Sequence, residues 1–168
     1  MHSIIIIIPY FGQLPPMFKF WRQSALNNPT IDFLLITDSD IETSGNVKVR
    51  HCTFEECKNR IQLLFDFPVS LPAPYKLCDY KPVYHNVFID EVAKYDFWGF
   101  GDLDLVYGDI RHFFTPEVLD RYSVISGWGH LTLYRNCELC NNFYKKEISG
   151  FQYYKNVYTN PQNSAFDE

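Results

Sequence analysis

Ser3-Ile4-Ile5-Ile6-Ile7-Ile8-Pro9 is the stretch that decides the fold. β-branched side chains favour an extended backbone, and consecutive residues of a strand point to opposite faces. A strand that is isoleucine at every position therefore needs apolar cover on both faces, which marks a central strand of a parallel sheet. Pro9 brings no backbone N–H to continue a ladder and ends the run. The run falls far short of the roughly 20 apolar residues that span a bilayer. It also lacks the basic flank and small-residue cleavage site of a secretory leader.

Working outward, Pro15 to Leu26 carries Phe18, Trp21, Ala25 and Leu26 on a helical repeat and stops at the turn-forming Asn27-Asn28-Pro29. Ile31 to Thr37 is a second apolar strand, and Asn46 to His51 alternates as a third. Thr53-Phe54-Glu55-Glu56 offers an N-cap with a Glu three residues on, for a helix reaching about Phe65. Phe67 to Pro74 holds three prolines and is a loop, and Tyr75 to Ala93 is helical in pattern apart from Pro82, which should kink or restart it. After a further strand from Tyr95, short helices are expected near Ile110 to Phe114 and from Thr115-Pro116-Glu117. Tyr122 to Ser126 and Leu131 to Arg135 read as strands around Gly127-Trp128-Gly129, and helical patterning resumes after Asn136. Alternating strands and helices around an all-apolar strand predict an α/β/α sandwich with a mostly parallel central sheet. No repeat or linker divides the 168 residues, so one domain is expected.

Composition narrows the partners. A net charge of -5 and an isoelectric point near 5.5 would repel a phosphate backbone, so nucleic acid is not expected. No segment reads as transmembrane, and a cytoplasmic location follows. The aromatic share of 18% argues for a packed core rather than disorder. Five cysteines, an odd number without repeated spacing, read as free thiols, and the lone pair Cys137 and Cys140 has neither a second pair nor an adjacent His.

The strand from Tyr95 ends in Gly101-Asp102-Leu103-Asp104. In extended backbone, Asp102 and Asp104 share a face while Leu103 turns to the core. Two adjacent carboxylates repel unless a cation lies between them, and a hard ion such as Mn2+ or Mg2+ takes oxygen ligands and accepts phosphate oxygens. The pair is thus a candidate metal site for the diphosphate of a nucleotide-linked substrate. Twelve Asp in 168 residues make roughly one Asp-x-Asp expected by chance. Asp38-Ser39-Asp40 is indeed a second, but it leads into a polar loop. In parallel sheets ligands bind beyond the carboxyl ends of the strands. Pro9-Tyr10-Phe11-Gly12, Thr37 to Asp40 and Gly101 to Asp104 should meet there on one rim.

A first strand ending in Pro9-Tyr10-Phe11, then Leu77-Cys78-Asp79-Tyr80-Lys81-Pro82 ahead of Tyr95-Asp96-Phe97-Trp98-Gly99-Phe100-Gly101-Asp102-Leu103-Asp104, resembles the GT-A class of nucleotide-sugar glycosyltransferases. More narrowly it is similar to an uncharacterised bacterial family of glycosyltransferase-like proteins found with surface-polysaccharide genes. The resemblance implies a GT-A-like domain over residues 1–168, transferring a sugar from a nucleotide-diphosphate sugar to a glycan or lipid-linked acceptor, in the cytoplasm or against the inner face of the membrane. By resemblance, Pro9, Tyr10 and Phe11 face the base and ribose, and Asp38 meets a nucleoside hydroxyl or base edge. Lys76, Asp79 and Lys81 contact the donor sugar, Gly101 and Asp102 flank the diphosphate, and Asp102 and Asp104 hold the metal.

Residue chemistry leaves plainer readings beside these. Tyr10 and Phe11 also suit the core, and Lys76 and Asp79, three apart, also suit a surface ion pair. His130 is a candidate metal or sugar neighbour, or a structural side chain. Asp109 is a group behind the site or a helix cap. An inverting transfer needs a carboxylate to take the acceptor's proton, for which Asp167 and Glu168 are the late candidates. GT-A domains usually run longer than this chain, so truncation at the C-terminus is expected. Two alternatives stand beside transfer: a sugar nucleotidyltransferase, disfavoured by a loop after the first strand with one Gly and no basic residue, and a non-catalytic nucleotide-sugar-binding protein of the same fold. An aspartyl phosphatase would place its acid pair at the end of the first strand, where Pro9-Tyr10 stands instead.

Overall fold

The computed structural model describes residues 1–125 and 129–166. Its strands are β1 (Ile4–Pro9), β2 (Asp32–Thr37), β3 (Val47–His51), β4 (Phe97–Gly101), β5 (Val124–Ile125) and β6 (Leu131–Arg135). They form one sheet in the order β3-β2-β1-β4-β6-β5. β1 pairs parallel with β2 and β4, and β2 with β3, whereas β6 runs antiparallel to β4 and β5. The sheet is mixed and mostly parallel, with β1 in its interior as its isoleucines require.

All five isoleucines are at most 2% exposed. Ile5 and Ile7 enter one core with Leu34, Ile36, Trp98 and Phe100. Ile4, Ile6 and Ile8 enter the other with Phe33, Leu35 and Phe97. Each such side chain contributes about 1.5–3 kcal/mol when fully withdrawn from water, so β1 ties both layers to one strand. Helix α1 (Phe18–Leu26) covers the second face through Trp21 and Ala25. Also on that face lie α5 (Ile110–Phe113) and α6 (Pro116–Arg121), through Ile110 and Leu119.

The first face is covered by α2 (Phe54–Gln62), a 3-10 helix (Pro74–Val83), α3 (Tyr84–Val87), α4 (Ile89–Val92) and α8 (Tyr153–Thr159), with α7 (Glu138–Asn141) beside β6. Thr53 caps α2 as its sequence predicts. Its hydroxyl accepts from the Glu56 N–H at 3.2 Å, and its own N–H donates to Glu56 Oε2 at 2.7 Å. Asp109 caps α5 through the His112 N–H. No disulfide forms among the described residues.

Two expectations change. The segment from Tyr75 is not an α-helix restarted at Pro82: it winds as a 3-10 helix for ten residues, Pro74 to Val83, followed by two short α-helices. Such helices usually stop after about 3–4 residues. Pro82 has no N–H to give an i−4 carbonyl and its ring crowds that position, so an α-helical path through it is disfavoured. The fourth strand also ends at Gly101, one residue before the acid pair, and the chain enters a turn at Leu103.

Candidate functional site

A cleft of about 730 Å³ opens at the carboxyl ends of β1 and β4. One wall is Ile8 to Phe11, the floor is Gly101 to Asp104, and Gly129 and His130 stand at the entrance to β6. The parallel register of β1 with β2 and β4 brings these ends together.

Asp102 and Asp104 both line the cleft although neither is in a strand. Leu103 between them is 3% exposed and packs into the core. The turn thus reproduces the same-face arrangement expected of extended backbone, because the buried Leu103 anchors it and turns its two neighbours outward. Gly101 precedes the turn because a side chain there has no room. A Cβ would stand 2.5 Å from the Tyr107 hydroxyl and 3.3 Å from Ile6 Cγ2. Burial first, and then the charges of Asp102 and Asp104, hold the Tyr107 hydroxyl far above its usual pKa, so it stays protonated.

The two carboxylates differ in surroundings. Lys81 Nζ lies 2.8 Å from Asp102 Oδ1 and donates to the Gly129 carbonyl at 2.9 Å. It also sits 5.3 Å from the Phe100 ring centroid. His130 Nδ1 lies 3.3 Å from Asp102 Oδ2. Asp104 is exposed. The cleft floor therefore carries two acids, an ammonium and an imidazole within one patch.

The 3-10 helix explains which of its residues reach the cleft. Residues three apart eclipse one another in that winding, giving three rows. Tyr75, Cys78 and Lys81, continued by Tyr84 of α3, line the cleft. Leu77, Tyr80 and Val83 enter the core, and Leu77, like Pro74 at the head of the same row, also reaches the cleft. Lys76, Asp79 and Pro82 face the C-terminal segment: Lys76 bonds the Val157 and Gln162 carbonyls, Asp79 accepts from the Ser164 and Phe166 N–H groups, and Pro82 lines a second cavity with Val157, Ser164 and Phe166.

The structure thus brings together Pro9, Tyr10, Phe11, Lys81, Gly101, Asp102, Asp104 and His130. Phe11 serves core and cleft at once, at 7% exposure. Lys76 and Asp79 do not line the cleft. They are not a solvated surface pair either: at 2% and 0% exposure they form a 2.6 Å ion pair inside the protein. Asp38 also stands outside the cleft lining, where its Oδ1 accepts the Gly12 N–H at 2.9 Å and braces the loop after β1. Gly12 adopts a φ of 92°, a left-handed conformation that suits glycine. Asp167 and Glu168 lie outside the described residues. Tyr75, Cys78, Tyr84, Asn163 and Ala165 also line the cleft, with the apolar Pro15, Pro74 and Leu77, and the sequence reading did not single them out. The triplet spacing 75, 78, 81, carried on to Tyr84 at the start of α3, is the signal for three of them once the winding is known to be 3-10.

A family of unknown function, DUF6625, matches the chain over residues 6–168. The chain belongs to DUF6625. The match embraces every described side chain of the cleft, so the cleft is a feature within the DUF6625 domain rather than an appendage to it. No curated protein matches the chain. Among its described residues, this DUF6625 protein has no group of three or more His, Cys, Asp or Glu side chains placed to hold a metal ion. No described helix is long and apolar enough to cross a membrane.

Proposed function

We propose that this protein is a GT-A-like glycosyltransferase that moves a sugar from a nucleotide-diphosphate sugar to a hydroxyl of a glycan or lipid-linked acceptor, in the cytoplasm or at the inner membrane face. The observation that carries the reading is the pairing, in one cleft, of aromatic walls with a floor of mixed charge. Tyr10, Phe11 and Tyr75 offer flat apolar surface for a base and ribose. Asp102, Asp104, Lys81 and His130 offer the charges that a diphosphate and its counter-ion need.

The donor set suits a hard divalent ion. Two carboxylates are enough protein ligands for magnesium or manganese, which fill the remaining positions with water and phosphate oxygens. Asp102 and Asp104 would hold it, and when bound it would neutralise the charge growing on the departing nucleoside diphosphate. Lys81, whose ammonium already bonds Asp102, is within reach of the same floor and supplies a fixed positive charge there. His130, 68% exposed at the mouth, can donate to or accept from an oxygen of the incoming sugar. The acceptor hydroxyl attacks the anomeric carbon as its bond to the diphosphate breaks, and its proton passes to a base.

Calorimetric titration with UDP and GDP, each with and without Mn2+, tests the reading on the wild type and on Asp104→Ala. Manganese-dependent binding that the variant loses is the expected result. Wild-type protein that binds neither nucleotide refutes it.

A further inference from the structure

The ion pair of Lys76 and Asp79 spends its hydrogen bonds on a single partner, the C-terminal segment. Lys76 Nζ donates to the carbonyls of Val157 and Gln162. Asp79 accepts from the Ser164 N–H at 3.1 and 2.9 Å and from the Phe166 N–H at 3.1 Å. Between those two amides stands Ala165, with a φ of 50° that a non-glycine residue seldom adopts. A left-handed residue between two converging N–H groups makes a backbone nest for an anion, and the anion here is the Asp79 carboxylate. Asn163 and Ala165, within the segment so held, are part of the cleft wall. On the next row of the same 3-10 helix stand Tyr75, Cys78 and Lys81, also in the wall.

We infer that Lys76 and Asp79 are positioning residues for the cleft, acting on its ligand through the strap 162–166 and not by contact. A buried ion pair carries a desolvation cost that its own attraction does not reliably offset, so its presence is weak ground for a purely stabilising role. Its geometry instead fixes one place for a segment whose residues 161–165 are all exposed and which has little apolar anchorage before Phe166. Without the carboxylate, the Ser164 and Phe166 N–H groups on either side of the left-handed Ala165 lose their acceptor. The strap then samples other conformations, and the cleft loses the wall formed by Asn163 and Ala165.

This inference rests on nucleotide binding in the cleft, and its test separates the two. UDP and GDP with Mn2+ are titrated into wild type, Asp79→Asn, Ala165→Pro and Thr115→Ala, alongside amide exchange at Ser164 and Phe166 and thermal unfolding. Asp79→Asn should remain folded, speed exchange at both amides and weaken the nucleotide by about tenfold or more. Ala165→Pro leaves the buried pair in place but cannot adopt a φ of 50°, since proline holds φ near about −65°; it should weaken binding likewise, and it carries the test if Asp79→Asn does not fold. Thr115→Ala, which removes the cap of α6 on the other face of the sheet and touches neither strap nor cleft, should bind as wild type does. Faster exchange with unchanged affinity, or unchanged exchange in Asp79→Asn, overturns the inference while nucleotide binding stands. Affinity lost equally in Thr115→Ala also overturns it, because general loosening then suffices. Wild type that binds neither nucleotide removes the functional reading, and the inference with it.

Discussion

Asp102→Asn should unfold more easily than Asp104→Asn, although the two residues belong to one motif. The Lys81 side chain is 8% exposed, and Asp102, 28% exposed, holds a carboxylate oxygen 2.8 Å from its ammonium. Removing one member of a fully buried pair costs about 3–5 kcal/mol, because a charge is left in a poor solvent. Partial exposure of Asp102 lets water take over some of the lost interaction, and the Gly129 carbonyl at 2.9 Å remains, which brings the expected loss to about 2 kcal/mol. Asp104 is exposed, so its substitution should stay within about 0.5 kcal/mol of wild type. For a chain of this length, about 2 kcal/mol lowers Tm by roughly 4–8 °C. Urea unfolding followed by tryptophan fluorescence measures both variants, and a cycle with Lys81→Met isolates the pair. Equal stabilities for the two Asn variants, or a coupling indistinguishable from zero, would refute the argument that Lys81 and Asp102 are energetically linked.

Gly101→Ala should cost about 1–3 kcal/mol by overpacking against the buried Tyr107 hydroxyl, and Tyr107→Phe should restore part of that loss in thermal melts; no rescue would mean that Ile6 or the backbone carries the clash. Thr53→Ala removes the hydroxyl of the capping box and should lower stability by about 1 kcal/mol, read in the same urea titration. Stability should also fall in alkali. Burial pushes the Cys57 thiol from its ordinary 9.0 up to about 12, so the folded form holds the proton more tightly than the unfolded form does. Its contribution is intact below pH 9.0 and is lost as pH rises towards about 12, with a slope of up to about 1.4 kcal/mol per pH unit. The Tyr80 and Tyr158 hydroxyls, raised first by burial, act in the same direction. Cys57→Ala should flatten the alkaline slope whatever its effect at neutral pH, and an unaltered slope would show that the thiol does not titrate on unfolding.

What could be read in the linear chain is what depends on neighbours along it. Five isoleucines in a row require cover on two faces wherever they are placed, so the interior parallel position of β1 follows from residues 4–8 alone. The capping box at Thr53 and Glu56 is equally local and formed as read. The convergence of Asp102 and Asp104 was also legible, because the apolar Leu103 between them has to turn inward in either a strand or a turn.

Tertiary structure decided the rest. Lys76, Asp79 and Lys81 look alike in sequence, three polar residues before the acid pair, yet they serve different faces. The 3-10 winding through Pro82 turns each residue by a third of a circle instead of the smaller α-helical step, which sends Lys81 to the cleft and Lys76 with Asp79 to the C-terminal strap. Asp38 lies at a strand's carboxyl end as expected, but it is the nearby Gly12 N–H, brought across from β1, that takes its carboxylate. A side chain's type and spacing limit what it can bond. Which partner it meets depends on segments far along the chain, as Phe166 is 87 residues from Asp79, and only the packed fold brings such groups within reach of each other.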